Sequence, residues 1–121
     1  SRPLYHAALA HGANNQVTLV RDAADLLAKA GIETAERLLG PLLSAALDNA
    51  LRHGDRALTG PVARGDAGTV ATHLRVLEAA DPDIARTYRT FAGRTARRAL
   101  AAGLLPEQAA ADVLTTLRED S

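Results

Sequence analysis

Three polar side chains crowd into nine residues near the middle of the chain, at Leu58-Thr59-Gly60-Pro61-Val62-Ala63-Arg64-Gly65-Asp66. Thr59 offers a hydroxyl, Asp66 a carboxylate, and Arg64 a forked guanidinium suited to carboxylate or phosphate. A helix beginning at Asp66 would also present free backbone N–H groups to an anion. The Asp66 carboxylate competes for those same groups as an N-cap, and Arg64 has Asp66 within reach as an ion-pair partner. Residue chemistry leaves two readings open here: an anion-binding loop, and a turn closed by its own charges.

A second set lies near the amino terminus. His11, Asn14 and Asn15 stand at i, i+3 and i+4 and share one face of a helix. His6 lies about 140° from His11 at about 100° per residue, with Asn14 between them. Either histidine can work beside Asn14, but the two do not easily serve one small ligand. An asparagine amide can hold a substrate carbonyl or hydroxyl while a histidine exchanges a proton near neutral pH. Asparagine is a middling-to-poor helix former, so a pair of them in mid-helix asks for a reason. The solvated face of an amphipathic helix would carry the same residues. His6, His11, His53 and His73 show no metal-ligand spacing, so no metal site is expected.

Five arginines between Arg86 and Arg98 suggest a basic stripe. They spread over more than one helix face, lack interleaved exposed aromatics and belong to a chain of zero net charge, which argues against nucleic acid. A solvated helix with arginine stems lying on apolar surface is the expectation.

These residues need elements to hold them. A chain of 121 residues has the size of one domain with a modest core. It contains no cysteine, which removes disulfides, zinc–thiolate sites and thiol catalysis, and fits a cytoplasmic protein. No apolar run approaches the roughly 18 residues of a membrane span, and no signal-peptide pattern opens the chain. Aromatic residues are confined to Tyr5, Tyr88 and Phe91, so an Ala/Leu/Val core buries little area per residue. Such a domain gains from docking on another copy or on a missing domain, and the start at Ser1-Arg2-Pro3 reads as a piece of a longer protein.

No segment alternates with period two, so the fold class is all-α: a single helical domain of five to seven helices with a long N-terminal helix. That first helix runs from Leu4 to Lys29, about seven turns or about 39 Å at about 1.5 Å per residue, and Gly31 ends it. Tyr5, Leu9, Gln16, Val20, Ala23, Leu27 and Ala30 mark its apolar side. Between Ile32 and Gly54 a short helix and a longer one are expected, jointed at Gly40-Pro41, with Leu43, Leu47, Ala50 and Leu51 buried. Asp66 caps a helix to Ala80 that turns Val70, Leu74 and Leu77 inward. Asp81-Pro82 opens the next helix, which reaches about Ala102 and buries Ile84, Tyr88, Phe91 and Thr95. Pro106 opens a last helix carrying Ala110, Val113, Leu114 and Leu117, and the tail from Arg118 to Ser121 should fray.

At Leu4-Tyr5-His6-Ala7-Ala8, Asn14 and the stretch Leu58–Asp66, the chain resembles a known family over nearly its whole length. The likeness is to the C-terminal helical domain of Rossmann-like NADP-dependent oxidoreductases of unassigned function, relatives of 6-phosphogluconate dehydrogenase. The resemblance implies a fold like the C-terminal domain of 6-phosphogluconate dehydrogenase. It also implies a dinucleotide-binding Rossmann domain, absent from this stretch, that holds most of an NADP cofactor. The helical domain would then form one wall of a substrate cleft and the interface of a homodimer. The resemblance implies that His6, Asn14, Thr59, Gly60, Pro61, Arg64 and Asp66 lie at or near that cleft. With His11 added from the residue chemistry above, the catalytic candidates are His6, His11 and Asn14, and the substrate-binding candidates are Thr59, Gly60, Pro61, Arg64 and Asp66. Related hydroxyacid dehydrogenases carry a lysine three residues before an asparagine pair. His11 stands in that place here, so a lysine-type acid/base mechanism does not carry over. A small acidic substrate is the expected partner, with neither nucleic acid nor membrane. The alternative is a non-catalytic helical module in which the central stretch is a turn and the first helix a dimer face.

Overall fold

The structure is a computed structural model and describes residues 1–119; Asp120 and Ser121, half of the tail expected to fray, lie outside the described residues. It contains six α-helices and one 3₁₀ turn, with no strand among the described residues, and the all-α expectation holds. The helices are α1 (Arg2–Lys29), α2 (Ala35–His53), α3 (Gly60–Arg64), α4 (Ala67–Ala80), α5 (Pro82–Ala101) and α6 (Glu107–Glu119), with the 3₁₀ turn at Gly54–Ala57. The chain divides into two compact units, Ser1–Leu42 and Leu43–Ser121. No helix is long and apolar enough to cross a membrane among the described residues.

The first unit is led by α1. Its N-terminus is closed by the Ser1 hydroxyl, which accepts from the Leu4 amide at 3.2 Å, one of the four donors a helix start leaves open. The helix runs through Gly12 as expected and ends at Gly31. There the Gly31 amide donates to Ala28 and the Ile32 amide to Leu27, the bond pair that a left-handed glycine permits at a helix end. Val20, Ala23 and Leu27 are half-buried, and Ala24, Ala35 and Leu39 are the buried apolar residues of this unit. Tyr5 and Leu9, expected on the inward side, are exposed.

The joint expected at Gly40-Pro41 is absent, because α2 continues through Pro41. Proline removes one backbone donor, here the partner of the Arg37 carbonyl, and inside a helix this costs about 3 kcal/mol or more when nothing else satisfies the group. Arg37 and Pro41 are both exposed, where water can take the freed carbonyl. The stripe expected on this helix is also largely outside: Leu43 is half-buried, Leu47 and Ala50 are exposed, and Leu51 is 80% exposed.

The second unit holds the larger core. Helices α4, α5 and α6 pack on one another, and α3 packs on α4 and α5. Val62, Val70, Ala92, Ala96, Ala99, Leu105, Ala110, Val113 and Leu117 form one buried cluster. The α5 contribution to it is a seam of small residues, and these allow neighbouring helices to approach closely. Larger α5 side chains are displaced to the flanks: Ile84, Tyr88 and Thr95 are half-buried, and Phe91, expected inside, is 37% exposed. Burial pushes the Tyr88 phenol up from its ordinary pKa.

Arg89 departs from the solvated-stripe expectation. Its side chain is mostly covered, bonds Glu78 on α4 at 2.9 Å and donates to the Leu117 carbonyl near the end of α6. That carbonyl is among the last four of α6, which have no partner within their own helix, so one guanidinium ties three helices together.

Candidate functional site

The central stretch is a one-turn helix with a two-faced side-chain arrangement, rather than an irregular loop. Thr59 precedes it in extended backbone, Gly60 and Pro61 form its first turn, and Arg64 is its last residue. Proline suits that position because a first-turn amide has no helical acceptor. Two backbone bonds end the turn, Gly65 amide to Val62 carbonyl at 3.0 Å and Asp66 amide to Pro61 carbonyl at 2.9 Å. Both require Gly65 in the left-handed region, where it sits at φ 73°. The same residue pair starts the next element. The Asp66 carboxylate accepts from the Thr69 amide at 3.1 Å and from the Thr69 hydroxyl at 2.7 Å, capping α4. The cap expected at Asp66 is therefore present, and so is the one at Asp81, which accepts from Asp83 and Ile84.

The inner side of this segment is fixed by apolar packing. Val62 and Ala63 are buried, Leu58 packs on the core cluster, and Gly65 lies against Leu105 and Ala109 near the start of α6. The outer side carries the polar groups. Thr59, Arg64 and Asp66 are exposed, and the Thr59 side chain makes no capping bond. Among the described residues Arg64 forms no ion pair, with Asp66 or any other acid. Its field reaches Asp66 all the same. The bond from the Thr69 hydroxyl is the main cause holding the Asp66 carboxyl below its ordinary value; the Thr69 amide adds to it, and Arg64 and His73 contribute less.

A lowered folded-state pKa contributes stability above the unfolded value, 3.8 for this group, and that contribution disappears as pH falls through the folded value. Asp66→Asn keeps a side chain able to cap a helix but removes the titration. The variant should lose less stability than the wild type between pH 5 and pH 2.5, measured by urea unfolding. Parallel acid limbs would show that the Asp66 charge has no part in the cap.

Beside Thr59 opens a groove of about 540 Å³ lined by Ala46, Ala50, Gly54, Asp55, Leu58 and Arg98, among others. Arg98 crosses from α5 to Asp55 on the 3₁₀ turn at 3.1 Å. Neither residue stands out in sequence: Asp55 belongs to no motif, and Arg98 is one of five similar arginines. Of the residues expected at a site, Thr59 lines this groove.

The N-terminal candidates belong to the first unit and are exposed on α1. His6 stacks edge-on against Tyr5, with ring centroids 5.5 Å apart. The side-chain amide of Asn15 is hydrogen-bonded to His11 Nδ1 at 2.7 Å. The partner is thus the i+4 asparagine, and Asn14 stands beside the pair with its amide exposed. Among the described residues no group of three or more metal-ligating side chains comes together.

Fold and site together define an all-helical domain that presents a short polar turn on an apolar anchor. The chain belongs to the family described as a domain of unknown function (DUF2520), which matches residues 1–95. The match covers α1 to α4 and most of α5, and therefore both candidate sets, while α6 lies beyond it. No curated protein and no solved structure matches the chain.

Proposed function

We propose that this chain is the C-terminal helical domain of an NAD(P)-dependent oxidoreductase acting on a small hydroxy or keto acid in the cytoplasm. The α3 turn forms one wall of the substrate cleft, and an N-terminal Rossmann domain of the same protein holds the NADP and forms the other. Hydride transfer belongs to the nicotinamide, and the residues of this chain bind and orient the acid. Arg64 holds the substrate carboxylate and Thr59 orients it. One observation carries this reading. Arg64 stands exposed and without an ion-pair partner among the described residues, on a turn whose other side is fixed in the core.

The test compares residues 1–121 with the polypeptide that includes the upstream coding region. The shorter chain has no GxGxxG and should not bind NADP tightly, whereas the longer one should quench NADPH fluorescence on binding. Arg64→Ala in the longer protein should raise KM for an acidic substrate about tenfold, the scale of one lost charge-assisted hydrogen bond, with NADPH affinity unchanged. Tight NADP binding by residues 1–121, or an unchanged KM, counts against the reading.

A second reading, a non-catalytic module that dimerises, draws on the apolar residues left exposed on α1 and α2, among them Leu4, Leu9, Leu42 and Leu51. Large apolar side chains left outside the core supply area that self-association can cover. Homodimerisation belongs to the oxidoreductase reading as well, so sedimentation alone does not separate the two. An upstream sequence lacking a strand, a GxGxxG and a helix leaves only the module.

A further inference from the structure

After Asp83, α5 carries five arginines and no acid. Three of them are partnered: Arg86 with Asp83 at 2.7 Å, Arg89 with Glu78 at 2.9 Å, and Arg98 with Asp55 at 3.1 Å. Arg94 and Arg97 have no acidic partner among the described residues. With Arg98 they stand at i, i+3 and i+4, which places three like charges on one face, where they repel. All three arginines line a single open hollow of about 280 Å³ whose other lining residue is Ala101.

Attraction to the negative end of the helix dipole explains Arg98 in part, since that effect acts within the last turn. It does not explain Arg94 and Arg97, or the placing of all three arginines around one hollow. We propose that this hollow is a binding site for a small phosphate-bearing anion. The guanidinium fork matches two oxygens of one phosphate group, and both Arg94 and Arg97 are free to offer it. Arg98, held by Asp55, borders the same opening from a fixed position. No aromatic ring lines the hollow for a base to stack on, which separates this site from a single-strand nucleic-acid surface. The inference is independent of the oxidoreductase reading, because it uses none of the residues of the α3 turn.

Inorganic pyrophosphate and phosphate are the probes, in calorimetric titration at fixed ionic strength, with acetate as a carboxylate control and chloride making up the balance. Pyrophosphate should bind the wild type and Arg86→Gln alike. Arg94→Gln/Arg97→Gln should weaken it at least tenfold, and acetate should give no heat. Arg97→Lys, which keeps the charge and loses the fork, should lie between. Both side chains are exposed, so the variants should share the wild-type circular dichroism spectrum. The proposal fails if pyrophosphate does not bind, if the double variant binds it unchanged, or if a DNA oligonucleotide binds through Arg94 and Arg97 while pyrophosphate does not.

Discussion

Gly65→Ala should destabilise the second unit by about 2–4 kcal/mol, a large share of a domain's stability. Two costs add. An L-residue in the left-handed region loses about 1–2 kcal/mol, and Gly65 sits at φ 73°. A methyl group built there would also lie 2.7 Å from the Ala109 Cβ and 3.0 Å from a Leu105 methyl, and overpacking of this kind costs about 1–3 kcal/mol. Stiffening the unfolded chain returns about 0.4–1 kcal/mol. Gly54 separates the terms, because it has φ 58° and nothing within 4 Å of an added Cβ. Gly54→Ala should therefore cost only about 1 kcal/mol from strain less the unfolded-state gain. Ala109→Gly should relieve part of the Gly65→Ala cost, read as a coupling energy of about 1 kcal/mol in a double-mutant cycle. Equal losses at Gly54 and Gly65, measured by urea unfolding, would mean that the turn does not press on α6. Because the turn carries Arg64 and Thr59, the same substitution should also displace the polar groups of the proposed cleft wall.

That contact shows where sequence reasoning stops. Helix ends are legible because their signals are local. Ser, Asp, Gly and Pro close or open a helix through backbone groups a few residues away, and the caps at Asp66 and Asp81 and the ends at His53 and Gly31 follow from that chemistry. The one-turn helix at Gly60–Arg64 is less legible, since five residues give no period, although Pro61 and Gly65 are its ordinary start and stop signals. Pairings between distant residues leave no local trace. Arg89 with Glu78 and the Leu117 carbonyl, Arg98 with Asp55, and Gly65 against Ala109 depend on how helices stack. Burial departs from apolar spacing for a related reason. Apolar spacing says which side of a helix prefers cover, but close helix packing along α5 selects Ala85, Ala92, Ala96 and Ala99 for the interior and leaves Phe91 outside. Of the candidate site, the polar residues of the α3 turn are legible by type, while the groove beside Thr59 needs Asp55 and Arg98, which sequence does not single out.

Leu74→Ala and Leu51→Ala should differ widely in effect, although both leucines lie at positions expected to face a core. Leu74 is fully buried on α4 and is the largest side chain so enclosed among the described residues. Truncating such a leucine costs about 2–5 kcal/mol, the upper part of the range applying where neighbours cannot collapse into the space. With no part of Leu74 exposed, the loss should fall within that range. Leu51 is 80% exposed, so its truncation should change the stability of the isolated chain by less than about 0.5 kcal/mol. Under the proposed homodimer, this exposed leucine contacts a second copy. Leu51→Ala should then leave urea unfolding at low protein concentration unchanged and weaken self-association in sedimentation equilibrium. If Leu51→Ala costs as much as Leu74→Ala at low concentration, the residue is buried within the chain and the dimer face must be sought on α1.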